Sequence, residues 1–255
     1  MDGQAVSDLS SLQGAEGREL TEGQIHLWYC AFDPESDPPD RDRYLAMLTP
    51  DERARGERYK FDRHRRQHWM TRALVRTTLS RYAPIAPEDW RFEAGEWGKP
   101  SIARNQARGL HFNLTNTEGL VVCAVSRSVS DLGIDVEASD RRVDALELAR
   151  AKFAPVEAEA VCSASGKDRM ERFFAHWTLK ESYIKACGKG LAIPLRHFWF
   201  DVSDGARIAF DEALPDDPQA WWFRRYTAID RYRVALAARV AGGAEPSVCS
   251  SSCVP

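Results

Sequence analysis

Residues Phe173–Gly188 read FFAHWTLKESYIKACG and carry the strongest helical signal in the chain. Trp177 and Ile184 lie near one side of a helix with 3.6 residues per turn, while Glu181 and Lys185 are four positions apart along a neighbouring stripe. Such a Glu and Lys usually form a surface ion pair worth only ~0.3–0.5 kcal/mol. Because aromatic residues flank this one, holding both charges here would be costly without a ligand or ion to meet them.

A strand is predicted upstream of this helix, at Leu132–Glu137, from the alternation of its residues. Asp135 and Glu137 are two positions apart, so both carboxylates lie on one face of the strand while Ile134 and Val136 point to the other. Two carboxylates on one face can share a single ion. For this motif taken alone, an ordinary solvent-facing edge of an amphipathic strand remains an open alternative.

The remaining hydrophobic patterns extend this helix and strand into two halves that meet near Ser130. Strands are predicted at Ile25–Phe32, Trp90–Phe92, His111–Leu114, Leu120–Ser126, Phe198–Val202, Ala206–Phe210, Gln219–Ile229 and Tyr232–Arg239, the last three as an antiparallel meander. Helices are predicted from Pro50 and at Arg65–Tyr82, Val143–Phe153 and Pro155–Val161. We therefore predict an α+β fold of two similar tandem subdomains with pseudo-two-fold symmetry. Each would be a small antiparallel sheet packed with helices, with the active site at their interface.

The composition of the two ends sets the predicted domain boundaries. Residues 1–23 are rich in Gly, Ser, Gln and Glu, and residues 241–255 read AGGAEPSVCSSSCVP. Neither stretch has the apolar content to offset the entropy lost on ordering it. We predict a disordered N-terminal segment at 1–23, an N-terminal subdomain at 24–129, a C-terminal subdomain at 130–240 and a disordered tail at 241–255.

The overall composition is that of a soluble globular protein. The 255 residues are 44% hydrophobic and 29% charged, which excludes a wholly disordered or collagen-like chain. With 35 Lys and Arg against 38 Asp and Glu, the net charge is −3, so the global charge indicates neither a nucleic-acid nor a membrane partner. The six cysteines form no CxxC pair and no signal peptide is evident, so we expect a protein of the reducing cytoplasm.

Two further motifs carry groups suited to phosphate oxygens. GKP at 98–100 holds the cation of Lys99 in a stiff turn, and FNLTNT at 112–117 presents hydroxyl and amide donors, among them Thr115 and Asn116, at a strand end. Each is by itself a common turn sequence. Their order and spacing relative to the acidic strand and the helix make them informative.

In order and separation, GKP, FNLTNT, GIDVE at 133–137 and WTLKESYIKACGKGL at 177–191 resemble the motifs of the phosphopantetheinyl transferases of the surfactin-synthetase-activating (Sfp) type. The resemblance covers about residues 49–191, and its last motif is highly specific. It implies a monomeric two-subdomain enzyme that moves the 4′-phosphopantetheine arm of coenzyme A to a serine of an acyl or peptidyl carrier protein. The implied cofactor is Mg²⁺, and the implied second product is adenosine 3′,5′-bisphosphate.

Carried over by position, the resemblance assigns roles to the acidic strand and the helix. Asp135, Glu137 and Glu181 would bind Mg²⁺, an ion that prefers a few carboxylates together with substrate phosphates. Glu181 would also act as general base on the carrier serine, directly or through water. Lys185 would steady the leaving phosphate.

The implied contacts to coenzyme A are Arg55, Arg72, Lys99, Thr115 and Asn116. Arg55 matches a basic residue on the 3′-phosphate side, and Arg72 lies in a matching Arg-x-Leu-Val-Arg stretch whose last residue, Arg76, has a structural role as an alternative. The family usually has histidine where this chain has Asn116. Because a neutral amide donates a hydrogen bond without adding positive charge, we expect the 3′-phosphate to be held mainly by arginine.

Two other functions are compatible with parts of the sequence. The basic stretch from Arg53 to Arg81 suggests a nucleic-acid-binding module, but acidic residues interrupt it and no known fold signature accompanies it. Grouped carboxylates also serve Mg²⁺-dependent phosphate-ester hydrolases. Mass analysis separates the two enzymes, because transfer adds the whole arm to a protein and hydrolysis modifies none. We expect coenzyme A and carrier proteins as partners, and neither nucleic acid nor a membrane.

Overall fold

The computed structural model describes residues 6–240 and 244–255, without the side chain of Leu191. The parts of the predicted disordered ends at 1–5 and 241–243 lie outside the described residues. The chain divides into two compact units, each with its own main sheet. Unit 1 comprises Met1–Ser11, Glu96–Lys99 and Asp131–Pro246, and unit 2 comprises Leu12–Gly95, Pro100–Ser130 and Ser247–Pro255.

The described residues form six α-helices and twelve strands. The strands are β1 (Ser7–Asp8), β2 (Gln24–Ala31), β3 (Phe92–Ala94), β4 (Pro100–Ile102), β5 (His111–Thr117), β6 (Leu120–Ser126), β7 (Leu132–Ala138), β8 (Phe198–Asp201), β9 (Arg207–Phe210), β10 (Trp221–Ala228), β11 (Tyr232–Arg239) and β12 (Ser247–Ser252). The helices are α1 (Arg41–Met47), α2 (Pro50–Glu57), α3 (Asp62–Ser80), α4 (Ala145–Lys152), α5 (Pro155–Cys162) and α6 (Gly166–Cys187). None of these described helices has the length and apolar content needed to cross a membrane.

The main sheet of unit 2 has the strand order β12-β2-β6-β5. β12 is parallel to β2, and the other two pairs are antiparallel. Helix α3 packs on this sheet, and the core of the unit includes Met70 and Leu74 from the helix together with Phe112 and Val121 from the strands. β3 and β4 form a separate antiparallel pair.

The main sheet of unit 1 has the strand order β1-β10-β11-β7, again with one parallel pair at an edge, β1 with β10. Helix α6 packs against β7 and β11. Its apolar side chains, among them Leu179 and Tyr183, lie in a core with Phe198 and Phe223. The α+β prediction is confirmed, and the sheets are mixed rather than purely antiparallel.

Local signals fix several helix ends. In α2, the Glu52 backbone N–H donates to Thr49 Oγ1 at 3.2 Å and the Thr49 N–H donates to Glu52 Oε2 at 3.0 Å, which is a capping box. The Asp144 side chain accepts from the backbone N–H of Glu147, so α4 begins after Asp144. Helix α6 ends at Cys187 and is followed by the C-cap Gly188, whose φ of +69° suits glycine.

The pairing of β9 differs from the predicted meander. β10 and β11 are antiparallel neighbours as expected, but β9 pairs with β8 in a separate two-stranded sheet. Adjacent strands in sequence pair most often, and both arrangements satisfy that tendency. The alternation of residues alone therefore did not distinguish them.

Both ends of the chain also differ from the prediction of unstructured segments. Leu9 and Leu20 are buried, and Cys249 in β12 lies in a cluster with Ala15 and Trp28. An edge strand gains its backbone hydrogen bonds whatever its side chains are, so a serine-rich segment can be ordered with only one or two buried apolar residues. Low apolar content was therefore a misleading criterion here.

Candidate functional site

The acidic strand β7 and the helix α6 are in direct backbone contact. A Cβ atom at Gly133 would lie 2.0 Å from the carbonyl oxygen of Ser182 and 2.5 Å from the nitrogen of Ala186, so only glycine fits at this position. This close approach brings the face of β7 that carries Asp135 and Glu137 next to the last turns of α6.

Each of the two strand carboxylates is engaged by a cationic side chain. The Lys185 ammonium donates to Asp135 Oδ1 at 2.6 Å and to the carbonyl of Ile134 at 3.2 Å. Arg141 donates to Glu137 Oε1. Asp135 and Glu137 are both nearly buried, so these ion pairs lie in a partly desolvated environment.

The third carboxylate, Glu181, is close enough to the other two to be affected by their charge. Burial raises the pKa of Glu181 to about 7, and the neighbouring charge of Asp135 acts in the same direction. Burial likewise raises the pKa of Glu137, and Asp135 again contributes. Three carboxylates thus share one partly buried region, which we call the carboxylate cluster (Asp135, Glu137 and Glu181). A cation there would relieve their repulsion.

The donor chemistry of the carboxylate cluster fits a hard divalent ion. Its atoms are all oxygens, the ligands that Mg²⁺ prefers. In their present side-chain positions, however, the described residues include no group of three or more His, Cys, Asp or Glu side chains that could hold a metal ion. The cations of Lys185 and Arg141 lie on the carboxylates that the ion would need.

Lys99, which was predicted as a contact of coenzyme A, belongs to unit 1 and is hydrogen-bonded there. Its ammonium donates to the carbonyl of Ala186 at 2.8 Å and to the carbonyl of Leu132 at 3.1 Å. Burial lowers the pKa of Lys99, partly offset by Asp131. The ammonium that was predicted to bind phosphate is therefore hydrogen-bonded to main-chain carbonyls at the start of β7 and in the last turn of α6.

In unit 2, the two arginines predicted at coenzyme A lie near each other on α2 and α3. Burial lowers the pKa of Arg72; Glu52 opposes this change, and the charges of Arg55 and Arg76 add to it. The Nε of Arg72 is buried and has no hydrogen-bond partner among the described residues, and it lies 3.9 Å from Glu52 Oε1. The neighbouring guanidinium charges of Arg55 and Arg72 form a positive patch suited to an anion.

Arg76 has the structural role that the sequence left as an alternative. Its side chain is 1% exposed, and it donates to the carbonyls of Pro87 and Trp90 and, at 2.7 Å, to Glu52 Oε2. It therefore joins the capping residue of α2 to the segment that follows α3. The Nε of Arg76 is also buried and has no hydrogen-bond partner among the described residues.

The neighbouring residues Thr115 and Asn116 lie on opposite faces of β5, because successive strand side chains alternate. Thr115 is buried, whereas Asn116 is exposed. The side-chain amide of Gln67, on α3, donates to Asn116 Oδ1. With its carbonyl oxygen held by Gln67, the Asn116 side chain would offer a phosphate its NH₂ donor.

Sequence reasoning missed two groups that the structure brings out. No sequence motif around Gln67 marks it as the hydrogen-bond partner of Asn116. Lys180 is fully buried, forms an ion pair with Glu157 at 2.8 Å and donates to the carbonyls of Leu195 and Phe198. Its position beside Glu181 in the helix motif was the available signal. The Lys180 ammonium thus links α6 to Glu157 of α5 and to the carbonyl of Phe198 in β8.

Comparisons with known proteins agree with this architecture. A family profile described as "4′-phosphopantetheinyl transferase superfamily" matches residues 131–237, and one described as "4′-phosphopantetheinyl transferase, N-terminal" matches residues 36–128. The 4′-phosphopantetheinyl transferase HetI of a Nostoc species is 36% identical over 68% of this chain and 72% of its own length.

Two proteins of Bacillus subtilis extend the comparison. A 4′-phosphopantetheinyl transferase is 29% identical over 82% of this chain and 88% of its own length. The 4′-phosphopantetheinyl transferase Sfp of strain 168 is 28% identical over 78% of this chain and 85% of its own length. The matches span both halves of the sequence, including the acidic strand and the helix motif. The chain therefore belongs to the 4′-phosphopantetheinyl transferases, in the Sfp-type branch that its motifs resemble.

Proposed function

We propose that this enzyme transfers the 4′-phosphopantetheine arm of coenzyme A to a serine of an apo acyl or peptidyl carrier protein, in a Mg²⁺-dependent reaction that releases adenosine 3′,5′-bisphosphate. The observation that carries the proposal is the carboxylate cluster with Lys185 beside it, on β7 and α6 of a member of this family. This arrangement brings together carboxylates suited to a metal ion, a candidate base in Glu181 and the cation of Lys185, on a strand and a helix in backbone contact.

In this proposal the carboxylate cluster would hold Mg²⁺, and binding would require Lys185 and Arg141 to move off Asp135 and Glu137. When bound, the ion would neutralise charge that builds on the diphosphate during phosphoryl transfer. Lys185 is then available for the diphosphate oxygens, as a point charge on a flexible stem. Asp135 and Glu137, which now pair with Lys185 and Arg141, would then pair with the metal.

Glu181 is the proposed general base. In the metal-free protein, burial raises the pKa of Glu181 to about 7, so its carboxylate accepts a proton readily at neutral pH, and a bound cation would lower that pKa. It would accept the proton of the carrier serine hydroxyl, directly or through water. The serine oxygen then bonds to the phosphorus that carries pantetheine, and the bond from that phosphorus to the adenosine bisphosphate breaks.

Arg55, Arg72 and Asn116 are the proposed contacts on unit 2 for the 3′-phosphate of coenzyme A. The positive patch of the two arginines supports this assignment, as does the donor that Gln67 leaves on Asn116. Thr115 remains a predicted contact of coenzyme A, whereas the hydrogen bonds of Lys99 suggest a different role, considered below.

The test of the function is incubation of the protein with coenzyme A, Mg²⁺ and a panel of apo carrier proteins, followed by intact-mass measurement. A carrier that gains the mass of one phosphopantetheine group supports transfer. Hydrolysis of coenzyme A with every carrier unmodified would support the phosphate-ester hydrolase. A salt-dependent mobility shift of DNA without coenzyme A binding would support the nucleic-acid-binding module.

Arg55→Ala is expected to raise the dissociation constant for coenzyme A roughly 10- to 100-fold, because a charge-assisted hydrogen bond contributes roughly 1.5–3 kcal/mol. The effect on 3′-dephospho-coenzyme A should be small. Arg53→Ala is the matched control on the same helix, since the Arg53 side chain donates to the carbonyls of Leu48 and Ala46. Equal weakening of both nucleotides by Arg55→Ala would argue against a 3′-phosphate contact. Calorimetric titration of each variant measures these constants.

Asn116→His is expected to tighten coenzyme A about fivefold at pH 6, or ~1 kcal/mol, because imidazolium adds a charge that the amide lacks. The gain should fade at pH 8, above the ordinary imidazole pKa. Dissociation constants for coenzyme A and its 3′-dephospho form at the two pH values provide the measurement. No change at either pH, or the same change for both nucleotides, would place Asn116 away from the 3′-phosphate.

Other expectations stay predictions of the same proposal. They are the pseudo-two-fold relation of the two halves, an active site formed by both of them, a monomeric state and a cytoplasmic location. Size-exclusion chromatography with light scattering tests the monomer. Cell fractionation tests the location.

A further inference from the structure

The segment Glu96–Lys99 interrupts the sequence of unit 2 but belongs to unit 1. At its end, the Lys99 ammonium donates to two carbonyls that come from different elements, Leu132 at the start of β7 and Ala186 in the last turn of α6. One side chain thus joins the strand that carries Asp135 to the helix that carries Glu181.

Two glycines show how closely this joint is packed. Gly133 lets the backbone of β7 touch that of α6, as described above. At the other end, a Cβ atom on Gly188 would lie 3.0 Å from Cδ of Lys99, and Gly188 has a φ of +69°. The stem of Lys99 therefore lies directly over the C-terminal end of α6, in space that a larger residue would fill.

We infer that Lys99 is a positioning residue for the carboxylate cluster: it fixes the spacing of β7 and α6 and does not contact the phosphates of coenzyme A. The inference rests on the proposed metal-binding function of that cluster. It replaces the phosphate contact that the family resemblance implied for this residue.

The hydrogen bonds of Lys99 favour this role over a phosphate contact. Two of the three ammonium donors are used by the two carbonyls. Turning the ammonium toward a ligand would leave both of these carbonyl acceptors without their charged donor, which is unfavourable. Groups that orient metal ligands typically change metal affinity 10–100-fold when they are removed. We therefore expect the loss of Lys99 to affect the metal.

The experiment compares wild type with Lys99→Met, which keeps the length of the stem and removes the donors, and Lys99→Arg, which keeps the charge and donors. Lys152→Met is the matched control, because Lys152 is exposed at the end of α4. For each full-length protein, calorimetry gives the dissociation constant of coenzyme A without metal. Electron paramagnetic resonance with Mn²⁺ gives metal affinity, and steady-state assays give kcat and the KM for coenzyme A.

For Lys99→Met we expect Mn²⁺ binding weakened about tenfold and kcat lowered at least as much, with the coenzyme A dissociation constant and KM within about twofold of wild type. Lys99→Arg should recover much of the Mn²⁺ affinity, which a loss of folding would not predict. If Lys99→Met instead weakens coenzyme A tenfold and leaves Mn²⁺ unchanged, the inference is overturned. If Lys99→Met does not fold, Lys99→Arg decides the question. Impaired coenzyme A binding with normal Mn²⁺ binding would overturn the inference. Normal coenzyme A binding with impaired Mn²⁺ binding would support it.

The proposed function fails in a different way. Wild-type protein that binds no Mn²⁺, with or without coenzyme A, would remove the metal site itself, and the role of Lys99 would fall with it. If wild type binds Mn²⁺ and Lys99→Met behaves like Lys152→Met in every measurement, only the inference about Lys99 is overturned.

Discussion

Glu181→Gln is expected to lower phosphopantetheine transfer about 10³-fold and, at the same time, to raise the melting temperature of the metal-free protein. Glutamine has nearly the shape of glutamate, but it cannot accept the serine proton, and it offers the metal a neutral oxygen. Both proposed roles of Glu181 are lost, whereas the packing of α6 is kept.

The gain in stability follows from the raised pKa. Burial, with help from Asp135, places the folded-state pKa of Glu181 at about 7, above that of an unfolded glutamate. Ionised Glu181 therefore destabilises the fold progressively as pH rises from the unfolded pKa through 7. Removing the charge should raise the melting temperature by about 2–4 °C at pH 8 and hardly at all at pH 4, because ~1 kcal/mol remains once solvent screening of this partly exposed carboxylate is allowed for.

Glu171→Gln is the control on the same helix. Glu171 accepts two hydrogen bonds from Arg233, which hold its pKa below the usual value. Its replacement should leave transfer within about twofold and lower the melting temperature slightly. Scanning calorimetry without metal and a mass-based transfer assay measure both variants. A Glu181→Gln enzyme with more than a tenth of wild-type turnover would contradict the assignment of the base.

The second large effect is expected at the C-terminal strand. Cys249→Asp should destabilise unit 2 by about 4 kcal/mol, because it places a charge in the cluster formed with Ala15 and Trp28. The melting temperature should fall by roughly 8–16 °C. Ser247→Asp is the matched control: it lies two positions earlier on the same face of β12 but is exposed, and it should shift the melting temperature by less than about 2 °C.

Thermal unfolding followed by circular dichroism measures both strand variants. A Cys249→Asp protein that melts with wild type would show that β12 contributes little to unit 2. Ser250 in the same strand is also buried, so Ser250→Asp provides a second reading from the opposite face.

The parts of the site that could be predicted from sequence were those encoded by short spacing. Asp135 and Glu137 on one strand face, and Glu181 and Lys185 one helical turn apart, need only the geometry of a strand and a helix. The structure adds that β7 and α6 touch, which makes one cluster of two motifs. That contact depends on Gly133, whose role is visible only against Ser182.

The parts that could not be predicted depend on partners distant in sequence. The direction of the Lys99 ammonium is set by carbonyls on β7 and α6, and the orientation of Asn116 is set by Gln67 on α3. The family resemblance assigned Lys99 and Asn116 to coenzyme A from the order of the motifs, which does not show these hydrogen-bond partners. The strand at Ser247–Ser252 was missed for the related reason that backbone pairing, rather than apolar content, holds it in place.

The terminal strands of this chain are exchanged between its halves: β1 adds to the sheet built mostly from the later sequence, and β12 adds to the sheet built mostly from the earlier sequence. During synthesis, β2 therefore leaves the ribosome long before its parallel neighbour exists, and its edge stays open until β12 has also emerged. For the same reason no single cut of the chain releases either unit whole, and residues 12–130 expressed alone would end with β2 as a bare edge.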